Sequence, residues 1–314
     1  MMPDPPMLSI LIVTHNAGPF LPDCLESISR RSPSFGSEII VVDNASTDDS
    51  VALVHRHCPG AKIIENASNP GFAAANNLAF HRSAGEFILL LNPDTVVHDG
   101  ALDCMVAFLR ERRDAGAVGP RILNPDGSLQ RTGVSAPSLW NLFAETFFLD
   151  AVFPRSRIFG RHRRLYENPD LCREVDCLQG SCLLVRREAV SHTLLDESYF
   201  LYFEETDLCT RLRAKGWKVC YFPDASIVHV GGSGTGYYDR QRIVRFHQSY
   251  LIYLGKHCGG IRRFLFRVLL IVRALLRIVL LAGGALAVPG RKSEMLDREE
   301  GYLQTIQLLA GMTR

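Results

Sequence analysis

The run Tyr199-Phe200-Leu201-Tyr202-Phe203-Glu204-Glu205-Thr206-Asp207-Leu208 sets three carboxylates directly behind a series of aromatic side chains. Aromatic flanks of this kind belong inside a protein, where unpaired carboxylates are unfavourable unless a metal, a cation or a reaction uses them. Glu204 and Glu205 are therefore candidates for acid–base work. The competing reading is electrostatic, since negative charge stabilises a helix N-terminus. A second acidic spot lies upstream, where the apolar run Phe87-Ile88-Leu89-Leu90-Leu91 ends in Asn92-Pro93-Asp94. Hard divalent cations take one or two protein carboxylates and complete their shell with water and substrate phosphates, so Asp94 at a strand end suits Mg²⁺ or Mn²⁺.

A third carboxylate, Asp43, ends the run Ile39-Ile40-Val41-Val42 and precedes Asn44-Ala45-Ser46-Thr47-Asp48. At the carboxyl end of a strand it would face the crevice and accept hydrogen bonds from a base N–H or a ribose hydroxyl. Ser46 or Thr47, with Asp48 and Asp49, can cap the following helix, which leaves Asp43 for a ligand. Asn69-Pro70-Gly71-Phe72 reads as a turn opening a helix that carries Asn76 and Asn77. His229, in Ile227-Val228-His229-Val230, is either a core histidine or a metal ligand.

These residues need elements to hold them. Leu8 to Val13 is a short apolar run bounded by turn signals, which reads as a buried strand; Phe20, Leu21, Leu25 and Ile28 then fall at helical spacing. The alternation continues with strand 38–42, helix 48–57, strand 61–65, helix 72–81, strand 86–91, helix 102–112 and strand 117–119. Such a rhythm implies a parallel sheet with ligands at the carboxyl ends of its strands. Turn signals at Asn124-Pro125-Asp126-Gly127 and an aromatic-rich stretch, 140–153, interrupt it. Regularity returns with strand 177–185, helix 204–215 and strands 218–221 and 226–230, before a glycine loop at 231–236.

The formal net charge of +2 is unevenly distributed. Residues 240–293 hold eleven Lys and Arg and no acid, so the remainder carries −9. A basic tail of this kind has an anionic partner, nucleic acid or a membrane surface. Residues 264–288 are helical in character and strongly apolar, with Arg267, Arg273 and Arg277 within roughly a 120° sector. The uninterrupted part, 278–288, would reach only ~17 Å against a hydrocarbon core of ~30 Å. An interfacial amphipathic helix fits better than a span, and its leucines, isoleucines and valines fit lipid better than nucleic acid. Nine cysteines without a CxxC pair read as reduced core thiols, and the N-terminus lacks the basic region of a secretory signal.

Five segments together resemble family 2 glycosyltransferases of GT-A fold, in particular their bacterial rhamnosyltransferase-like branch: Ser9-Ile10-Leu11-Ile12-Val13-Thr14-His15-Asn16, Val41 to Asp48, Asn69 to Asn77, Leu90 to Asp94, and Phe200 to Arg211. The resemblance covers residues 8–232. It implies a Rossmann-like, mostly parallel sheet with helices on both faces, in a catalytic domain over 1–235 with a nucleotide-sugar half to about 120 and an acceptor half from 121. Residues 236–314 would form a basic helical region that associates with membrane. It further implies that Thr14 and Asp43 hold the nucleotide, with Asn16, Asn44, Asn69, Gly71, Asn76 and Asn92 around it. Asp94 would be the aspartate of the family's DXD-type motif and His229 its partner on the metal. Glu205 falls where the family places its base. Two departures stand out: the first acid of the DXD-type position is Asn92, and the base is Glu rather than Asp, so Glu204 remains an alternative.

The implied reaction is an inverting transfer, with a carboxylate deprotonating the acceptor as it attacks the anomeric carbon. By resemblance the donor is dTDP-L-rhamnose, with a UDP-hexose or UDP-galactofuranose as the alternative. The tail suggests a polyprenyl-diphosphate-linked saccharide acceptor and a peripheral position on the cytoplasmic face of the cell membrane, through 240–292, with no nucleic-acid partner. Arg155, Arg157, Arg161, Arg163 and Arg164 either bind its phosphates or form a solvated loop. Nucleotidyl transfer would require a glycine-rich loop after the first strand, which Val13 lacks. A non-catalytic sugar-nucleotide-binding scaffold would have no need of both Asp94 and Glu205.

Overall fold

The computed structural model describes residues 6–30, 33–130, 133–162, 164–231, 239–287 and 291–311, without the side chains of 285–287. Arg163, most of the glycine loop and the extreme N-terminus lie outside the described residues. The chain divides into two compact units. The first comprises Met1–Val134, Asn168–Phe200 and Glu204–Thr235; the second gathers Ser135–Glu167, Leu201–Phe203 and Gly236–Arg314.

The first unit is built on one mixed sheet. Strands β1 (Leu8–Thr14), β2 (Ser37–Asp43), β3 (Lys62–Glu65) and β4 (Phe87–Leu91) form a parallel block in the order β3-β2-β1-β4. Each is a short run of branched or aromatic residues bounded by turns, and β1 and β4 are buried throughout, as strands covered on both faces must be. Helices α1 (Leu21–Arg30), α2 (Ser50–His57) and α4 (Ala101–Glu111) share one core with Leu8, Ile10, Ile12, Phe87, Leu89 and Leu91. Alternate strand residues, such as Leu11, Val13, Ile88 and Leu90, point to the other face, where α3 (Phe72–His81) packs.

Beyond β4 the sheet is not parallel. Strand β9 (Cys182–Arg186) runs antiparallel to both β4 and β6 (Ala115–Leu123), and β10 (Lys218–His229) is parallel to β6. The short β5 (Thr95–Val97) runs antiparallel to β10 at the sheet's edge, and the two-residue strands β7 (Leu129–Gln130) and β8 (Arg173–Glu174) add to β6 and β10. The expectation of a mostly parallel sheet therefore holds only for its first half. An apolar run such as Cys182 to Val185 carries no mark of direction, and the long stretch before it brings the chain in from the opposite end.

Boundaries shift for local reasons. The strand anticipated from Cys177 starts at Cys182, because Gly180 intervenes and Cys177 makes only an isolated bridge with Val134. The two strands foreseen at 218–221 and 226–230 are one, bent by a register shift between Phe222 and Ser226 that faces Pro120 of β6. Pro120 has no N–H for the ladder, so it sits where the ladder is interrupted. Helix α7 (Glu204–Ala214) packs near β10 and β6.

The second unit is helical: α5 (Leu139–Thr146), α6 (Leu149–Val152), α8 (Arg240–His257), α9 (Gly260–Ala287) and α10 (Lys292–Leu309). Asp239 caps α8 by accepting from the Arg242 N–H, and Asp297 of α10 accepts from the Arg240 N–H. Arg273 of α9 pairs with Glu145 of α5 at 3.0 Å, and the Arg277 guanidinium lies 4.3 Å over the Phe148 ring. These two arginines thus face inward with Phe266, Leu270 and Ala274, all fully buried. Of the anticipated polar stripe, Arg273 and Arg277 are therefore turned away from solvent and Arg267 alone is exposed. Among the described residues, no helix is long and apolar enough to cross a membrane.

Candidate active site

The parallel register brings the first pair of side chains together. Thr14 and Asp43 are partners at the ends of β1 and β2, both buried, and the Thr14 hydroxyl and Asp43 Oδ1 have no hydrogen-bond partner. Asp43 is not wholly free, because its Oδ2 accepts from the Ser46 N–H at 2.9 Å and braces the loop that follows. Capping is also arranged differently from the anticipated pattern: Asp48 accepts from the N–H and hydroxyl of Ser50 and from the Gly18 N–H. One buried acceptor and one buried hydroxyl remain, aimed at no protein group, and orphaned polar atoms of this kind are rare away from ligand sites.

The asparagines around them divide by role. Asn44 is fully engaged, donating toward Asn69 Oδ1 and Gly71 O while accepting from Asn66. Asn16 accepts from the Thr47 N–H and so closes the loop between β2 and α2. Asn69 Oδ1 accepts from the Gly71 N–H. Asn76 donates to Phe72 O, but its Oδ1 is buried without a partner. Gly71 has φ 97°, and a methyl group there would lie 2.6 Å from the Phe200 carbonyl oxygen. Only glycine allows this approach, and the Phe72 N–H uses it to donate to Phe200 O at 2.8 Å.

A second cluster forms where β4, β5 and β10 end. Thr95 pairs with His229, and the Val230 N–H donates to Asp94 O, so Asp94 and His229 meet. His229 Nε2 lies 3.3 Å from Asp94 Oδ1, yet that oxygen has no hydrogen-bond partner. Asn92 Nδ2 is 3.5 Å from the same ring nitrogen. Gly231 makes room for this arrangement, since a side chain there would fall onto Asp94 Oδ2. A buried carboxylate oxygen and an imidazole nitrogen aimed at each other without a hydrogen bond are a fit for a hard divalent cation. Among the described residues no group of three or more His, Cys, Asp or Glu side chains converges on one point, so a cation held by this pair would need further ligands from outside it.

The acidic run at α7 separates into unlike members. Asp207 is neutralised by Arg211 Nε at 2.6 Å and approached by the Tyr199 hydroxyl at 3.4 Å. Glu204 and Glu205 each keep one buried oxygen without a partner. Burial pushes the Glu205 carboxyl up to about 7, and burial together with the neighbouring Glu205 charge holds Glu204 well above the usual carboxylate range. The pair therefore carries at most one negative charge near neutrality.

Glu205 reaches the same end of the sheet as Asp94 through a short line of contacts. The Asn92 N–H donates to Ser181 O, and a side chain on the adjacent Gly180 would contact Glu205 Cβ at 3.5 Å. Gly180, Ser181, Gly231 and Gln130, whose Oε1 lies 3.0 Å from His229 Nδ1, are site residues that the sequence reading missed. Ser181 also has a buried hydroxyl without a partner. The turn at 124–127 was the one legible sign of Gln130.

Residues 9–194 match glycosyl transferase family 2. The chain is 31% identical over 266 residues to the N-acetylglucosaminyl-diphospho-decaprenol L-rhamnosyltransferase of Mycobacterium tuberculosis, covering 81% of this chain and 86% of that protein. It is 26% identical to the rhamnosyltransferase WbbL of Escherichia coli K12, over 71% of this chain and 83% of the relative. Among solved structures, the fold is similar to that of a mannosyltransferase from Pyrobaculum calidifontis in complex with GDP-Man and Mn²⁺, with a TM-score of 0.56, 17% identity, and coverage of 98% of this chain and 87% of that one.

Proposed function

The chain belongs to glycosyl transferase family 2, and from that premise we propose that it is a metal-dependent, inverting L-rhamnosyltransferase that uses dTDP-L-rhamnose and a polyprenyl-diphosphate-linked saccharide. The observation that carries the reading is the gathering, at one end of the sheet, of the Thr14–Asp43 pair, the Asp94–His229 pair and the buried Glu205. The rhamnosyl group is supported by the names of the mycobacterial and E. coli relatives, and the lipid-linked acceptor by that of the mycobacterial one.

Each group has a task that its surroundings suit. Asp43 Oδ1 and the Thr14 hydroxyl, desolvated and unpartnered, take the N–H or hydroxyl groups of the nucleoside. A divalent cation held by Asp94 and His229, with the donor diphosphate as its remaining protein-independent ligand, would neutralise charge on the leaving group. Glu205 accepts the proton of the acceptor hydroxyl while that oxygen bonds to the anomeric carbon and the carbon–oxygen bond to the diphosphate breaks. Attack from the opposite face inverts the centre. A base with a pKa near 7 is half ionised at neutral pH and stronger than an exposed carboxylate. Glu204, held protonated, keeps a second charge from forming beside it.

Two measurements test this. Thermal-shift titration with dTDP-, UDP- and GDP-sugars should give its largest shift with dTDP-L-rhamnose and only when Mg²⁺ or Mn²⁺ is present; a larger response to a UDP-sugar would reassign the donor. Glu205→Gln should lower turnover at least ~10³-fold with donor affinity nearly unchanged. An equal loss of donor binding would remove Glu205 from the role of base.

A further inference from the structure

We propose that Gln130 is a positioning residue whose side-chain amide holds His229 as the Nδ1–H tautomer and so turns the Nε2 lone pair toward Asp94 as a cation ligand. This rests on the metal-dependent reading above and assigns a residue that neither the family resemblance nor the motifs point to.

The tautomer follows from a chain of hydrogen bonds in which each member has one choice. Asp126 Oδ1 accepts from both the N–H and the hydroxyl of Ser128, at 2.9 and 2.6 Å. A carboxylate only accepts, so the Ser128 proton points to Asp126 and the Ser128 oxygen is left to accept from Asn124 Nδ2 at 2.7 Å. That fixes the Asn124 amide with Oδ1 toward Gln130, whose Nε2 donates to it at 2.7 Å. The second Nε2 hydrogen of Gln130 goes to the main-chain carbonyl of His229, again at 2.7 Å. With both its hydrogens on oxygen acceptors, the Gln130 amide cannot be reversed. Its Oε1 therefore faces His229 Nδ1 at 3.0 Å and must accept from it. In the neutral ring Nε2 then carries no hydrogen; it lies 3.3 Å from Asp94 Oδ1, an oxygen without a hydrogen-bond partner.

Two electron-rich atoms at that separation repel, and a cation between them removes the repulsion. A ligating histidine whose far nitrogen donates to an oxygen is oriented and made more basic, and loss of that oxygen weakens metal binding about ten- to a hundredfold. The hairpin formed by β6 and β7, with Ile122 opposite Gln130, carries the oxygen to the ring. The turn at Asn124–Ser128 is thus part of the site.

The test separates this role from mere pinning of the hairpin. Mn²⁺ affinity in the presence of dTDP, read from the electron paramagnetic resonance signal of free Mn²⁺, should fall about ten- to a hundredfold in Gln130→Leu, with metal-free dTDP binding unchanged. In a His229→Ala background the same substitution should add nothing. Nitrogen-15 spectra of histidine-labelled wild type should show His229 protonated on Nδ1 and unprotonated on Nε2, a measurement that needs no variant to fold. An Nε2–H tautomer in the wild type, or an equal effect of Gln130→Leu with and without His229, overturns the assignment. Normal Mn²⁺ binding by His229→Ala overturns both this assignment and the metal-site reading; loss in His229→Ala with none in Gln130→Leu overturns the assignment alone.

Discussion

Glu204 and Glu205 are neighbours of the same type to which the proposed reaction gives different tasks, and what distinguishes them is electrostatic. Burial raises both carboxyls, and the charge of Glu205 raises Glu204 further. The base must be ionised to work, which sets the sign of the pH dependence. Below about pH 7 the rate should fall tenfold per unit, and above it should level off. Initial-rate pH profiles of kcat/KM check this, and a flat profile down to pH 5 would exclude Glu205 as the titrating group. Glu204→Gln keeps a neutral hydrogen-bonding side chain in place and should retain activity within about tenfold of wild type, whereas Glu205→Gln should not. The same shifts act on stability with opposite sense to a salt-bridged carboxylate. Between the ordinary carboxylate value and about 7, the folded state holds more protons than the unfolded one, so stability falls as pH rises through that window. Urea unfolding of the ligand-free protein from pH 4.5 to 7.5 should show this slope, and Glu204→Gln combined with Glu205→Gln should flatten it.

At the level of elements, one polar side chain ties α3 to the segment that leads to the glutamates. Asn77, buried on α3, donates to Leu195 O and Glu197 Oε1 and accepts from the N–H groups of Leu194 and Leu195. Asn77→Leu would leave these main-chain groups buried without partners, at a cost of about 2–4 kcal/mol. Denaturant titration should show the lowered midpoint, and a change under 1 kcal/mol would mean that water replaces the amide. The sequence reading identified α3 to the residue, because an apolar period bounded by Gly71 leaves little choice. The parallel strands were legible for the same reason, and so were Asp43, Asp94 and Glu205, each a charged residue at the end of an apolar run. What could not be read was anything that depends on pairing across long separations. The direction of β9 is one case. Gln130 is another, since its partner lies 99 residues away and the turn at 124–127 beside it gives no sign of that partner. The inward turn of Arg273 and Arg277 is a third: helical spacing gave their common side but not that Glu145 and Phe148 occupy it.

For the molecule as a whole, that inward turn changes how the basic tail would meet a membrane. With Arg273 and Arg277 engaged, the solvent-facing side of α9 is an apolar ridge of Ile261, Phe264, Leu265, Val268, Leu275 and Val279. At about 100° per residue these lie within roughly a 100° sector and run for about 27 Å. The same helical unit exposes Trp140, Phe143, Phe147 and Phe153, whose rings pack on one another or on Phe159. Apolar surface of this extent marks an interaction site. Arg262 and Arg267 are exposed on the same helix, and the 240–293 window has no acid to oppose them. The proposed acceptor, anchored by a polyprenyl chain, would be presented at such a surface, so a peripheral membrane position and the proposed transfer would support each other. The purified protein should sediment with vesicles containing phosphatidylglycerol, less so at 0.5 M salt, as screening removes the arginine contribution. Burying a large apolar side chain is worth about 1.5–3 kcal/mol, so Phe264→Glu with Val268→Glu should weaken partitioning about a hundredfold or more while leaving dTDP binding intact. Unchanged partitioning of that variant would mean that the ridge meets something other than lipid, and the acceptor would then have to be sought among soluble saccharides.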